Sequence, residues 1–149
     1  MTLLLILLTI LLAVAGWYVF ESRWDRGLFP VGGGKVSRNI RPGEAAALLR
    51  EDTTVQVLDV RSTREFAGGA LRGAVNVSIS NPAFRELVGT LDVKKPILVY
   101  CAGGYRSRKA VAILQALGFT LIHHLHRGIY SWKMQGLPIA PTTKPRISP

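Results

Sequence analysis

The sequence predicts an α/β domain: a central parallel sheet of about five strands with helices on both faces, preceded by one N-terminal transmembrane helix. Three observations predict it. Short apolar runs of strand length alternate with stretches whose apolar residues recur at helical spacing, the pattern of βαβ units. Residues 96–118 read as a buried strand, a tight loop and a helix, with the chain's single cysteine at the turn. Leu3 to Phe20 holds 18 residues without a charge, or about 27 Å of helix against a bilayer core of ~30 Å.

The totals narrow the function classes. The 149 residues suffice for one domain and an appendage, and the net charge is +10. Such a charge suits nucleic acid, a membrane surface or an anionic substrate. The basic residues are scattered rather than striped and form no nucleic-acid module, so nucleic acid is not expected as a partner. One cysteine makes no internal disulfide.

Taken in order, residues 1–21 read as the membrane anchor, with Trp17 and Tyr18 as interfacial aromatics. Ala13-Val14-Ala15 also fits a cleavage site, which would make this a removed signal peptide and the domain an exported one. No basic residue precedes Leu3, whereas Arg23, Arg26, Lys35, Arg38 and Arg41 follow. The positive-inside rule therefore favours an uncleaved anchor with the domain in the cytoplasm. Residues 22–35 read as a Gly-rich linker and residues 36–140 as the domain. Within it Val36 to Ile40 is a first strand, and Pro42 opens a helix through Leu49. Val55 to Val60 is a second strand, and Arg61 to Phe66 a turn or two of helix. Ala74 to Val77 is a third strand. Asn81-Pro82 starts a helix carrying Phe84, Leu87, Val88 and Leu91 on one face. After the cysteine segment come a strand over Leu121 to Leu125 and a short helix over Tyr130 to Met134, with Trp132 in the core. Residues 141–149 read as a Pro-rich tail.

The chemistry centres on Cys101. A lone cysteine is usually a small buried hydrophobe. Here it sits at a strand end before a helix N-terminus, close to Arg106, Arg108 and Lys109, and these favour a thiolate. Gly103 and Gly104 allow the backbone to curl so that amides point inward around an anion. Arg106 offers a two-pronged anion contact, and Ser107 is placed to cap the helix. Asp59 and Arg61 read mainly as a structural strand-end pair, with substrate contact as the lesser role. Arg61 and Glu65 also stand at i,i+4 spacing. His124 and His126 share a strand face, but no cysteine or carboxylate completes a metal set beside His123, so no metal is expected.

These residues carry a resemblance. Leu58-Asp59-Val60-Arg61 with Glu65-Phe66, Gly73 to Val77, Val99-Tyr100-Cys101 through Arg106-Ser107, and Gly128-Ile129 with Trp132 and Gly136-Leu137-Pro138 resemble a single-domain rhodanese. The resemblance implies a three-layer rhodanese-like fold and sulfur transfer. In it Cys101 carries a persulfide, and Ala102, Gly103, Gly104, Tyr105 and Arg106 form the substrate-binding loop, supported by Asp59, Arg61 and Ser107. The implied partners are a small sulfur-donor anion such as thiosulfate, a cyanide or thiol acceptor, and a sulfur-accepting protein. No cofactor is implied. Two departures are Ala70 and Arg72 where relatives carry histidine and proline, and His126-Arg127 where an acidic residue and glycine are common. Phosphatase-like relatives need five residues between cysteine and arginine; this loop has four, which fits a sulfane sulfur better than a phosphoryl group. A third reading is a membrane-tethered binding module without chemistry.

Overall fold

The computed structural model describes residues 2–29 and 36–142. Six helices and five strands follow one another as α1 (Thr2–Leu28), β1 (Val36–Ile40), α2 (Pro42–Glu51), β2 (Gln56–Asp59), α3 (Thr63–Ala67), β3 (Val75–Asn76), α4 (Phe84–Gly89), β4 (Ile97–Tyr100), α5 (Tyr105–Ala116), β5 (Leu121–Leu125) and α6 (Gly128–Met134) among these residues. The strands form one sheet in the order β1-β5-β4-β2-β3, every pair parallel. The expected five-stranded parallel sheet is therefore present.

The sheet is buried on both faces, so its central strands read as unbroken apolar runs. Alternate side chains separate into two cores, as the two-residue strand period requires. Leu58, Val99 and Ile122 pack on one face with Phe84 and Val88 of α4 and Val111 and Leu114 of α5. Val57, Leu98 and Leu125 pack on the other with Ala45 of α2 and Ile129 and Trp132 of α6. Ile97 to Tyr100 is shielded from solvent throughout, so the chain emerges from β4 at the edge where parallel sheets place ligands.

The N-terminal helix departs from expectation. It was expected to give way at residue 22 to a linker, but it continues to Leu28. Glu21, Trp24, Asp25 and Leu28 recur at helical spacing and turn one stripe toward the domain. Leu28 joins the first core, Trp24 packs edge-on against Tyr105 at 5.2 Å, and the two carboxylates hold Arg108. A helix of 27 residues is about 40 Å long and exceeds a ~30 Å bilayer core. Its last two turns are thus free to dock. The segment Thr2–Leu28 is long and apolar enough to cross a membrane, with a mean hydropathy of 2.6 over its best window; a signal sequence shares that property. Of the glycines expected to form the linker, Gly27 lies within this helix, and Gly32, Gly33 and Gly34 lie outside the described residues, as does most of the expected tail. Ala140 pairs with Ala70 in an isolated antiparallel bridge, and Thr142 Oγ1 donates to Phe66 O at 3.1 Å.

Leu58, wholly buried in β2, is a sensitive probe of this packing. Leu58→Ala is expected to lower the unfolding free energy by about 2–5 kcal/mol, measured by urea denaturation of the full chain.

Candidate active site

Cys101 follows β4 directly and is 1% exposed. The loop after it reaches α5 in four residues because Gly104 takes the left-handed conformation, φ 96°, as the helix N-cap. That turn brings the Gly104 amide onto Cys101 Sγ at 3.1 Å. It is the one backbone amide bonded to the sulfur among the described residues, where sequence reasoning expected several to converge. The loop is also pinned from behind. Ile129 N donates to Cys101 O at 2.9 Å and Tyr130 N to Ala102 O at 3.1 Å. Gly128 makes this approach possible: its φ is 58°, and a Cβ there would run into the carbonyl oxygens of Cys101 and Ala102.

The remaining loop residues divide. Ala102 is buried, Gly103 and Tyr105 are exposed, and the Tyr105 ring touches Trp24 and the Lys109 ammonium, which lies 5.0 Å from the ring centroid. Arg106 does not present a free fork to an anion. Both prongs hold Glu65, Nη1 to Oε2 at 2.8 Å and Nη2 to Oε1 at 2.7 Å. Glu65 is fixed in turn by the first turn of α3, accepting from Ser62 N at 3.0 Å and Ser62 Oγ at 2.7 Å. These donors, the Arg106 guanidinium first, hold the Glu65 carboxyl down at about 2. A lowered carboxyl stabilises the fold above its unfolded value, and that contribution fades as pH falls toward about 2.

The expected Arg61–Glu65 pair is thereby corrected. Arg61 instead turns back on Asp59, with Nη2 to Oδ2 at 2.6 Å and Nε to Oδ2 at 2.9 Å, and also donates to Gly69 O at 2.8 Å. Both residues are buried, 0% exposed for Asp59 and 4% for Arg61. Asn76, which sequence reasoning passed over, spans the same turn by donating to Asp59 O and Arg61 O. These groups brace the strand ends; they do not line an opening.

Ser107 is a second correction. It does not cap α5, because Gly104 already stands at the N-cap. Its side chain lies inside the helix, wholly buried. Its Oγ is 3.4 Å from Cys101 Sγ, 3.1 Å from Gly104 O and 2.8 Å from His124 Nε2. Sequence reasoning named His124 only as a possible metal ligand, and its contact with Ser107 was not foreseen. The signal was its position: it shares the inward face of β5 with Ile122, and a polar group there needs partners. Burial, with the Arg108 charge nearby, lowers its pKa to about 3, so the ring is neutral. No cluster of three metal-ligating side chains occurs among the described residues.

Comparison with known proteins places this geometry. The Rhodanese-like domain family model matches residues 41–135. A tRNA uridine(34) hydroxylase of Cytophaga hutchinsonii is 35% identical over 104 residues, which is 68% of this chain and 33% of that protein. One of Listeria welshimeri is 41% identical over 92 residues, 58% of this chain and 28% of that protein. The chain thus spans about a third of the length of these curated relatives. A crystal structure of a rhodanese-related protein from Thermoplasma volcanium superposes with a TM-score of 0.63 at 32% identity, covering 70% of this chain and 99% of that one.

Two substitutions test the architecture. Asp59→Ala leaves the Arg61 guanidinium buried without its carboxylate and is expected to cost about 3–5 kcal/mol in thermal or urea unfolding. Gly128→Ala forces a side chain into the left-handed region and against the loop carbonyls, for a loss of at least about 2 kcal/mol. It should also change the alkylation rate of Cys101, whereas Gly89→Ala, at a position with open space, should leave that rate unchanged.

Proposed function

This chain belongs to the rhodanese-like domain family, and we propose that it is a sulfurtransferase working through a Cys101 persulfide. The observation that carries this reading is the loop itself. The chain's single cysteine stands at the C-terminal end of the central strand, and four residues later α5 begins, with one loop amide already aimed at its sulfur at 3.1 Å. An amide in that position stabilises negative charge on sulfur.

The chemistry is two displacements at sulfur. The Cys101 thiolate attacks the outer sulfur of a donor such as thiosulfate. A new S–S bond forms, the old one breaks, and sulfite departs with the electron pair. Cyanide or a thiolate then attacks the outer sulfur of the persulfide. The Cys101–S bond breaks, thiocyanate or a new persulfide leaves, and the Cys101 thiolate is regenerated. No external oxidant or reductant is needed. Arg106, braced on Glu65 beside the loop, adds positive charge near the sulfur without surrendering its fork. The loop is one residue short of the span that encloses a phosphoryl group, which favours sulfur.

The tether gives this activity a place. The docked end of α1 holds the domain against the membrane, with the basic residues after Phe20 favouring the cytoplasmic side. A membrane-associated, sulfur-accepting protein is the partner this arrangement suits. The activity named for the curated relatives belongs to proteins about twice this length, of which the matched part is about a third, and the shared part is the rhodanese-like module.

The test uses the full chain in detergent. After incubation with thiosulfate, intact-mass measurement should show one added sulfur on Cys101, and cyanide should then release thiocyanate. Cys101→Ser should abolish both. If the wild type takes up no sulfur from thiosulfate or from small persulfides, the domain is a tethered binding module and the enzymatic reading is wrong.

A further inference from the structure

His124 has no part in the displacements at sulfur, yet both its ring nitrogens are engaged. Nδ1 is 2.9 Å from Asn39 Oδ1. Nε2 is 2.8 Å from Ser107 Oγ and 3.2 Å from Gly104 O. Ser107 Oγ is in turn 3.4 Å from Cys101 Sγ. A chain of contacts therefore runs from β1 through the core to the reactive sulfur.

The protons along this chain are fixed from its far end. The Asp25 carboxylate only accepts hydrogen bonds, and Asn39 Nδ2 donates to its Oδ2 at 3.2 Å. The same amide nitrogen faces His126 Nδ1 at 3.2 Å. Asn39 must therefore turn Oδ1 toward His124, and an oxygen there accepts. The neutral His124 ring carries its proton on Nδ1 and leaves Nε2 bare. Of the two groups near Nε2, the Gly104 carbonyl cannot donate, so the Ser107 hydroxyl does. A serine has one proton. With that proton committed to His124, Ser107 shows only lone pairs to Cys101. This arrangement accepts a hydrogen bond from the neutral thiol and withholds one from the thiolate.

We propose that His124 is a positioning residue that sets the direction of the Ser107 hydroxyl at Cys101, and that Asp25 of α1 holds it in the tautomer that favours the thiol. When Asp25 is lost, the Asn39 amide is free to turn. The His124 proton moves to Nε2, and Ser107 is released to donate to the sulfur. The docked helix thereby tunes the ionisation of the cysteine. Its effect on turnover rests on the sulfur-transfer reading; the tautomer and the thiol ionisation do not.

The charged and titratable groups facing His124 are Arg108 from α5, Asp25 from α1 and His126 from just past the end of β5. Glu21 lies behind them on Arg108, and the Phe29 ring stacks on the imidazole at 5.4 Å between centroids. Removing any carboxylate here also favours the thiolate through charge alone, so the test must separate charge from hydrogen bonding.

Long-range proton–nitrogen spectra of histidine-labelled full chain read the tautomer directly. The rate of iodoacetamide alkylation against pH reads the ionisation of the single cysteine, and neither measurement needs a sulfur donor. The wild type should show His124 protonated on Nδ1. Asp25→Ala should shift the ring toward Nε2 protonation and lower the alkylation midpoint by about one pH unit. Glu21→Ala removes a carboxylate from Arg108 without touching Asn39, so its smaller shift measures the charge effect. In a Ser107→Ala background, Asp25→Ala should shift the midpoint no further than Glu21→Ala does. Asn39→Ala keeps the Arg108 pairs and serves as a second variant, with a shift in the same direction as Asp25→Ala. A wild-type ring protonated on Nε2, or equal midpoint shifts for Asp25→Ala with and without Ser107, would overturn the proposal. Persulfide formation that fails while these shifts appear would count against the enzymatic reading alone.

Discussion

The burial of β4 is the constraint on which the rest of this structure depends. Its four residues are shielded from solvent on both faces and flanked by β2 and β5. Its backbone groups are satisfied by the parallel ladder, so the strand has little freedom to slide or tilt. Cys101 is the next residue. Its position is therefore inherited from the sheet, and the short loop needs only to fold over it. The left-handed Gly104 does so from the front, and the amides of Ile129 and Tyr130 fix the carbonyls from behind. A sulfur held this way has a defined direction before any substrate arrives, which is the preorganisation that the proposed sulfur transfer requires.

Around this frame the buried and half-buried arginines of the site are matched among the described residues, and each match joins segments distant in the chain or closes a turn. Arg61 with Asp59 and Asn76 closes the end of β2. Arg106 with Glu65 ties the start of α5 to α3. Arg108, 4% exposed, receives Glu21 and Asp25 from α1. A buried guanidinium without its carboxylates would be strongly unfavourable, so the last of these pairs makes the end of the N-terminal helix part of the domain rather than a passive leash. It also brings α1 within one amide of the His124 ring.

Much of the fold was legible in the chain because it rests on local pattern. Strand and helix periodicity marked all five strands, and the bounds Leu121–Leu125 and Val36–Ile40 agree with expectation. The helix end at Leu28 was misjudged because charge and glycine content were weighed above the stripe formed by Glu21, Trp24, Asp25 and Leu28. The candidate site was legible in part. Cys101 and its glycines announce themselves by position, since a strand end, glycines and a helix start lie consecutively in sequence. The partner of Arg61 was misread because Asp59 and Glu65 both stand at plausible spacing, and that of Arg106 was not legible because no carboxylate follows Asp92 in the sequence. Only the crossing of α3 against α5 decides which lies at hydrogen-bond distance.

The sequence by itself determined the alternating architecture, the apolar N-terminal helix and the four-residue loop between Cys101 and Arg106. Each is a matter of order and spacing along the chain, and short-range physics reads spacing well. Tertiary structure alone decided which groups face the sulfur and which charges are paired. Ser107 became a link rather than a cap because the turn at Gly104 rotated it inward. His124 became its partner because β5 packs beside β4, 17 residues away along the chain from Ser107. Hydrogen bonds act over a few ångströms whatever the separation in sequence, so their partners are settled only when the sheet has closed.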